Sequence, residues 1–205
     1  MSTATAELTT QITYLLPTST INRRFWAPGE EYNTGTYAPY DVVIRNARLS
    51  APFTLDLHGF ALGQHKTDIT DWIANYAHDS DYALQVCDVA MAMSGADLVI
   101  PMSGQIRTSG LTSATMQPPA ADAHADSTIK TANKLAETIF RHSPDHRWWY
   151  FPDMTADEVI FIKFHDSDHN RAWHAPHTAF RDASRPDAVE RRSIEFRGVA
   201  YFTRD

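Results

Sequence analysis

Residues 171–197 read RAWHAPHTAFRDASRPDAVERRSIEFR. The middle of this stretch, DASRPD, is made of turn residues, and it separates two parts of β character. The second part continues as VERRSIEFRGVAYF over 189–202, where alternation predicts one or two closing strands. Side chains two apart on a strand share a face, so Arg191 and Ser193 point the same way. His177 lies fourteen residues before Arg191. That interval sets a possible metal ligand and an anion-gripping cation on separate strands.

Working outward, the C-terminal half keeps this character. RWWYFP (147–152) reads as an aromatic strand, TADE (155–158) as a capped turn and VIFIKF (159–164) as a strand. HDSDH (165–169) reads as a polar turn, because Asp and Ser bond readily to nearby backbone. Upstream, ITYLLP and DVVIRNA are short β runs within residues 1–50, which are expected to form an N-terminal arm packed on the body. LDLHGFAL (55–62) is predicted as a strand. Thr67 to Ala92 is predicted as helical: a first helix capped by Asp68 or Thr70, and a second from Tyr82 to Met93 stopping before Gly95. ADLVIPM (96–102) reads as a short buried strand and 108–123 as a loop. Apolar spacing predicts an amphipathic helix from Thr128 to Phe140. The fold class that follows is mostly β with flanking helices, a sandwich or barrel in one domain of residues 1–205.

Composition narrows the functional classes. The 205 residues carry a net charge of −7 with no basic cluster, which argues against a protein that grips nucleic acid phosphates. Cys87 is the single cysteine, so no internal disulfide forms and a reducing compartment is expected. The N-terminus lacks the pattern of a signal peptide and no run reaches a membrane span, so a cytoplasmic location without membrane contact is expected.

The candidate site is a metal constellation. His124 and Asp126 form a His-x-Asp triplet fifty-three residues before His177. Two imidazoles and a carboxylate on one face suit ferrous iron and leave three open positions for a bidentate co-substrate and dioxygen. Arg191 with Ser193, or Arg197 on the same face, would meet a distal carboxylate with a bidentate fork; Ser193 favours Arg191. His174, three residues before His177, is expected on the opposite face of a strand. Arg107 could line the pocket and take a substrate carboxylate, and alternate members of Trp148, Trp149 and Tyr150, Trp149 among them, could wall it.

HRWWYFPDMTADEVIFIKFHDSD, then APHTAF, then RRSIEFR, resembles hydroxylase/desaturase enzymes of the cephem-methoxylase and gibberellin-desaturase type. LDLHGFAL and DAHADST match that family's pattern more loosely. The resemblance implies a double-stranded β-helix (jelly roll, cupin-like) and dependence on Fe(II) and 2-oxoglutarate. It implies His124, Asp126 and His177 as ligands, and a small-molecule substrate that is hydroxylated, desaturated or cyclised in specialised metabolism, with a carboxylic or amino acid as the candidate class. The chain departs from the pattern in lacking a proline-rich extension after the His-x-Asp triplet, and in carrying Arg192 where the family has Glu. A non-catalytic jelly-roll partner subunit and an iron oxygenase without a 2-oxo acid are the competing readings.

Overall fold

Period-two alternation in the aromatic run 147–151 sets the layers of the computed structural model. The described residues are 5–20, 24–27, 30–50, 52–109, 112–117, 128–130, 136–138 and 140–203. Trp148 and Tyr150 turn to one side and join Ile12, Tyr14, Val42, Ile44 and Phe180 in a buried cluster. Phe151 and Trp149 pack instead with Ala47, Phe60 and Ala175 in a second cluster.

The strands in chain order are β1 (Glu7–Leu15), β2 (Arg24–Ala27), β3 (Glu30–Asn33), β4 (Tyr37–Asn46), β5 (Phe60–Gln64), β6 (Leu98–Ser109), β7 (Thr112–Gln117), β8 (Thr128–Lys130), β9 (Ala136–Thr138), β10 (Arg147–Tyr150), β11 (Glu158–Ile162), β12 (His177–Phe180) and β13 (Arg191–Tyr201). The helices are α1 (Leu55–His58) and α2 (Asp81–Ser94). The main sheet runs β1-β4-β10-β7-β12, antiparallel except where β10 lies parallel to β4. β5 pairs with β11, β6 with β13, β2 with β3 and β8 with β9. Ser80 caps α2 by accepting from the Ala83 N–H at 3.2 Å, and Gly95 at φ 73° ends it. α2 packs on the β6–β13 ribbon, with Tyr82 and Phe196 ring centroids 5.7 Å apart.

The mostly β character, β10, β11, β13 and the stop of α2 at Gly95 agree with the sequence expectation, and several local elements differ. Residues 7–46, expected as an arm, supply two strands of the main sheet and four side chains of its core. Over 55–62 a strand was expected, but Thr54 Oγ1 caps α1 and Gly59 at φ 77° breaks the chain before β5 begins. The expected first helix is absent: Asp71 captures the Ala74 N–H and the Asn75 amide donates back to the Asp71 carbonyl, holding a turn. ADLVIPM opens a twelve-residue strand, and Leu98, Ile100 and Met102 are exposed, not buried. Within the expected loop 108–123, residues 112–117 form β7 between β10 and β12. Within the expected helix Thr128–Phe140, β8 and β9 pair antiparallel from Thr128↔Thr138 to Lys130↔Ala136, in keeping with the β-branched residues at both ends.

Candidate functional site

The register of the main sheet lines up one row across all five strands. Glu7 faces Arg45, Arg45 faces Trp149, Trp149 faces Thr115, and Thr115 faces His177. Cross-strand partners share a face of a sheet, so Trp149 and His177 stand on the same side with buried Thr115 between them. Arg45 donates to Glu7 at 2.9 Å and lies 5.9 Å from the centre of the Trp149 ring. The Trp149 Nε1–H is buried and has no hydrogen-bond partner among the described residues.

Gly59 places the segment that leads into His177. A side chain there would come within 3.0 Å of the His174 carbonyl and the Ala175 Cβ, so only glycine allows this approach. The Ala175 N–H donates to the Lys163 carbonyl and the Lys163 N–H to the Gly59 carbonyl, at 2.8 and 2.7 Å. His177 then opens onto a cavity of about 260 Å³, where β12 lies against β1. Tyr14, Phe140, Trp148, Phe164, His174 and Lys163 also line it. The His177 ring is reached by solvent through this cavity yet is surrounded by protein. Desolvation pushes its pKa below the usual histidine value, against the opposing pull of a backbone hydrogen bond to Ala175 and of Glu195. Desolvation thus favours the neutral imidazole, the form that binds a metal.

Alternation along β13 sorts its side chains. Ile194 and Phe196 belong to the face toward α2, while Arg191, Ser193, Glu195 and Arg197 share the other. Arg191 donates to Ser193 Oγ at 2.7 Å. Glu195 accepts from Arg107 at 3.0 Å and from Arg197 at 3.1 Å. Burial alone pushes the Glu195 carboxyl up, but these two arginines hold it below the usual range. Phe164 links this face to the cavity. Its ring meets His177 edge-on at 5.2 Å and carries the Arg197 guanidinium 5.2 Å from its centre.

Of the residues singled out in the sequence, His177, Arg197 and Arg107 come together, with Glu195 between the arginines. Arg191 and Ser193 bond each other farther along the same face. Trp149 shares the His177 row, and its neighbour Trp148 lines the cavity. His124 and Asp126 lie outside the described residues. Among the described residues no group of three His, Cys, Asp or Glu gathers as a metal site. His174 is a buried cavity wall stacked near Trp173 and Phe140. In the 165–169 turn Asp166 accepts from the Asp168 N–H, as the polar-turn reading expects.

Phe164, Glu195, Lys163 and Tyr14 were not singled out in the sequence. Glu195 could have been found, since it shares parity with Arg191 and Arg197. Tyr14 carried no local signal, because its role depends on β1 closing against β12.

The chain matches a family model described as Oxidoreductase/YMDC permease-like domain over residues 12–141 and 136–201. Over 65 residues it is 42% identical to the hydroxylase/desaturase asaB of Aspergillus flavus, covering 30% of this chain and 29% of that protein. Over 61 residues it is 38% identical to the hydroxylase/desaturase efuI of Hormonema carpetanum, covering 29% of this chain and 20% of that protein. The matches thus span less than a third of either relative's length. The structure of the iron and alpha-ketoglutarate-dependent endoperoxidase NvfI superposes with a TM-score of 0.78, covering 97% of this chain and 99% of that one at 17% identity. A second NvfI structure, in a different conformation, gives 0.80, with 98% and 99% covered at 17% identity. At this identity the likeness concerns the fold, and the fold is the jelly roll expected from the sequence.

Proposed function

Because the chain belongs to the family described as Oxidoreductase/YMDC permease-like domain, we propose that it is an Fe(II)- and 2-oxoglutarate-dependent oxygenase acting on a small molecule in specialised metabolism. The observation that carries this reading is His177 in a cavity beside an arginine-rich strand face. The donor chemistry fits ferrous iron. His177 offers an uncharged imidazole, and the His-x-Asp triplet His124 and Asp126 would supply the other imidazole and the carboxylate. Bound iron would supply the redox chemistry that couples oxidation of the co-substrate by dioxygen to attack on a substrate C–H bond.

The rest is the work of this chain's residues. Arg191, with Ser193 beside it, would grip the distal carboxylate of 2-oxoglutarate. Its guanidinium meets a hydroxyl, whereas Arg197 and Arg107 share the Glu195 carboxylate and are already compensated. Arg197 remains the alternative on the same face. Phe164 orients His177 and excludes water from its flank. On the substrate side we assign Trp149, in the His177 row, and Arg107, where a substrate acid would compete with Glu195. The cavity walls are mainly apolar, which suits a compact substrate bearing few polar groups.

The test is anaerobic Fe(II) titration followed by turnover with 2-oxoglutarate and dioxygen. Binding of one iron and formation of succinate are expected. An isolated chain that binds no Fe(II), or that consumes dioxygen without any need for 2-oxoglutarate, overturns the reading.

A further inference from the structure

Two oxidisable side chains of the cavity wall are joined to a third ring on the far side. Trp148 is 3% and Tyr14 2% exposed, and both line the His177 cavity. The Trp148 Nε1–H donates to the Tyr14 hydroxyl at 2.7 Å, and His146 Nδ1 lies 3.3 Å from that same oxygen. The Trp148 and Tyr14 ring centroids are 6.4 Å apart, and those of Tyr14 and half-buried Tyr40 are 5.8 Å apart. Tyr40 in turn stacks on His142 at 4.5 Å. Burial of so many hydrogen-bonded aromatic groups between a cavity and the outside makes a continuous path for an electron.

We propose that Trp148, Tyr14 and Tyr40 form a one-electron relay from the His177 cavity to the protein surface, with His146 as the proton partner of Tyr14. Its use in the cell rests on the oxygenase reading above, and the relay itself does not. Bound iron would supply the oxidant when it reduces dioxygen without a substrate to attack. That oxidant gains one electron from the hydrogen-bonded Trp148–Tyr14 pair. The Tyr14 O–H bond breaks, the proton moves to His146 Nδ1, and a neutral tyrosyl radical remains. Tyr40 then returns an electron to Tyr14, the His146 proton goes back, and Tyr40 releases its own proton to solvent. A one-electron donor in solution, such as ascorbate, restores Tyr40 by giving it a hydrogen atom. The geometry explains why a base must sit on Tyr14. Desolvation raises its pKa to about 12, so the phenol is protonated at neutral pH and must shed a proton as it is oxidised.

The experiment has two arms. In the first, the metal-free chain is oxidised by a flash-generated ruthenium(III) tris-bipyridine and frozen for EPR, comparing the parent with Tyr14→Phe, Tyr40→Phe and His146→Gln. Circular dichroism confirms that each variant is folded. A tyrosyl signal present in the parent, lost in Tyr14→Phe and longer-lived in Tyr40→Phe is expected, with slower formation in His146→Gln. Equal radical yield and lifetime in the parent, Tyr14→Phe and Tyr40→Phe overturns the relay. In the second arm, the iron-loaded chain is incubated with 2-oxoglutarate and dioxygen without substrate, and oxidised residues are mapped by peptide mass spectrometry. More oxidation of cavity residues in Tyr40→Phe than in the parent supports the protective role, and an identical map overturns it. If no variant consumes dioxygen, the oxygenase reading fails, while the first arm still decides the relay.

Discussion

Trp149 and His177 stand in one cross-strand row of the main sheet, both paired in register with Thr115. The row ties the tryptophan's indole, with its unpartnered buried N–H, to the face that carries the proposed metal ligand. Replacing only the N–H should then cost little, because a buried donor without an acceptor does not stabilise the fold. Trp149→Phe removes the N–H together with part of the ring and is expected to cost about 1–2 kcal/mol, and Trp149→Ala about 3–5 kcal/mol through the larger cavity it leaves. A loss in Trp149→Phe as large as that in Trp149→Ala would mean that the indole N–H does have a partner.

His177 and His174 should separate cleanly. His177→Ala is expected to abolish stoichiometric Fe(II) binding while the fold is retained. His174 is buried against Trp173 and Phe140, so His174→Ala should lower the melting temperature, by about 2–4 kcal/mol of stability, and still bind iron. Calorimetric titration with Fe(II) under nitrogen reads both. Full iron binding by His177→Ala removes it from the ligand set.

The co-substrate assignment turns on which guanidinium is uncompensated. Arg191 is exposed in this structure, and loss of its bidentate contact costs about 2–5 kcal/mol, more than tenfold in affinity, if the bound co-substrate desolvates it. Arg191→Lys should therefore raise the 2-oxoglutarate requirement by more than about tenfold, and Arg197→Lys by less. The reverse order transfers the role to Arg197.

Glu158 gives the pH dependence of stability. Its carboxylate takes the Arg48 guanidinium bidentately at 2.7 and 2.8 Å, and hydrogen bonds from Arg48 hold its pKa at about 2 instead of 4.5. A carboxyl whose folded pKa is depressed contributes stability that is present above its unfolded value and lost as pH falls through the folded one. The window is thus pH 4.5 down to about 2. Glu158 is mostly covered but Arg48 is partly open to solvent, which screens the pair, so a contribution of about 1–2 kcal/mol is expected. Urea unfolding at several pH values should show a loss over this window that is smaller in Glu158→Gln than in the parent by about this amount.

Gly104 is a packing constraint on the ribbon that presents the arginines. A Cβ there would overlap the Tyr76 carbonyl oxygen, which is backbone and cannot turn aside. Gly104→Ala is expected to destabilise the chain by about 1–3 kcal/mol or more, read from the urea midpoint. An unchanged midpoint would show that the 71–77 turn moves freely away from β6.

The sequence by itself determined the β-rich C-terminal half, the α2 stop at Gly95, and which β13 residues share the charged face. These follow from local rules: period-two alternation, turn chemistry and the conformational freedom of glycine. It left open which arginine is compensated, because Glu195 reaches Arg107 only through the pairing of β13 with β6. Tertiary structure also decided that residues 112–117 are a central strand and that Glu7–Leu15 and Tyr37–Asn46 belong to the main sheet. The polar run 112–117 gives no local strand signal, and the β character of the N-terminal runs does not say that their partners lie far along the chain. The cavity could not be read locally either. It exists because β1 closes against β12, bringing Tyr14 to His177 across most of the chain.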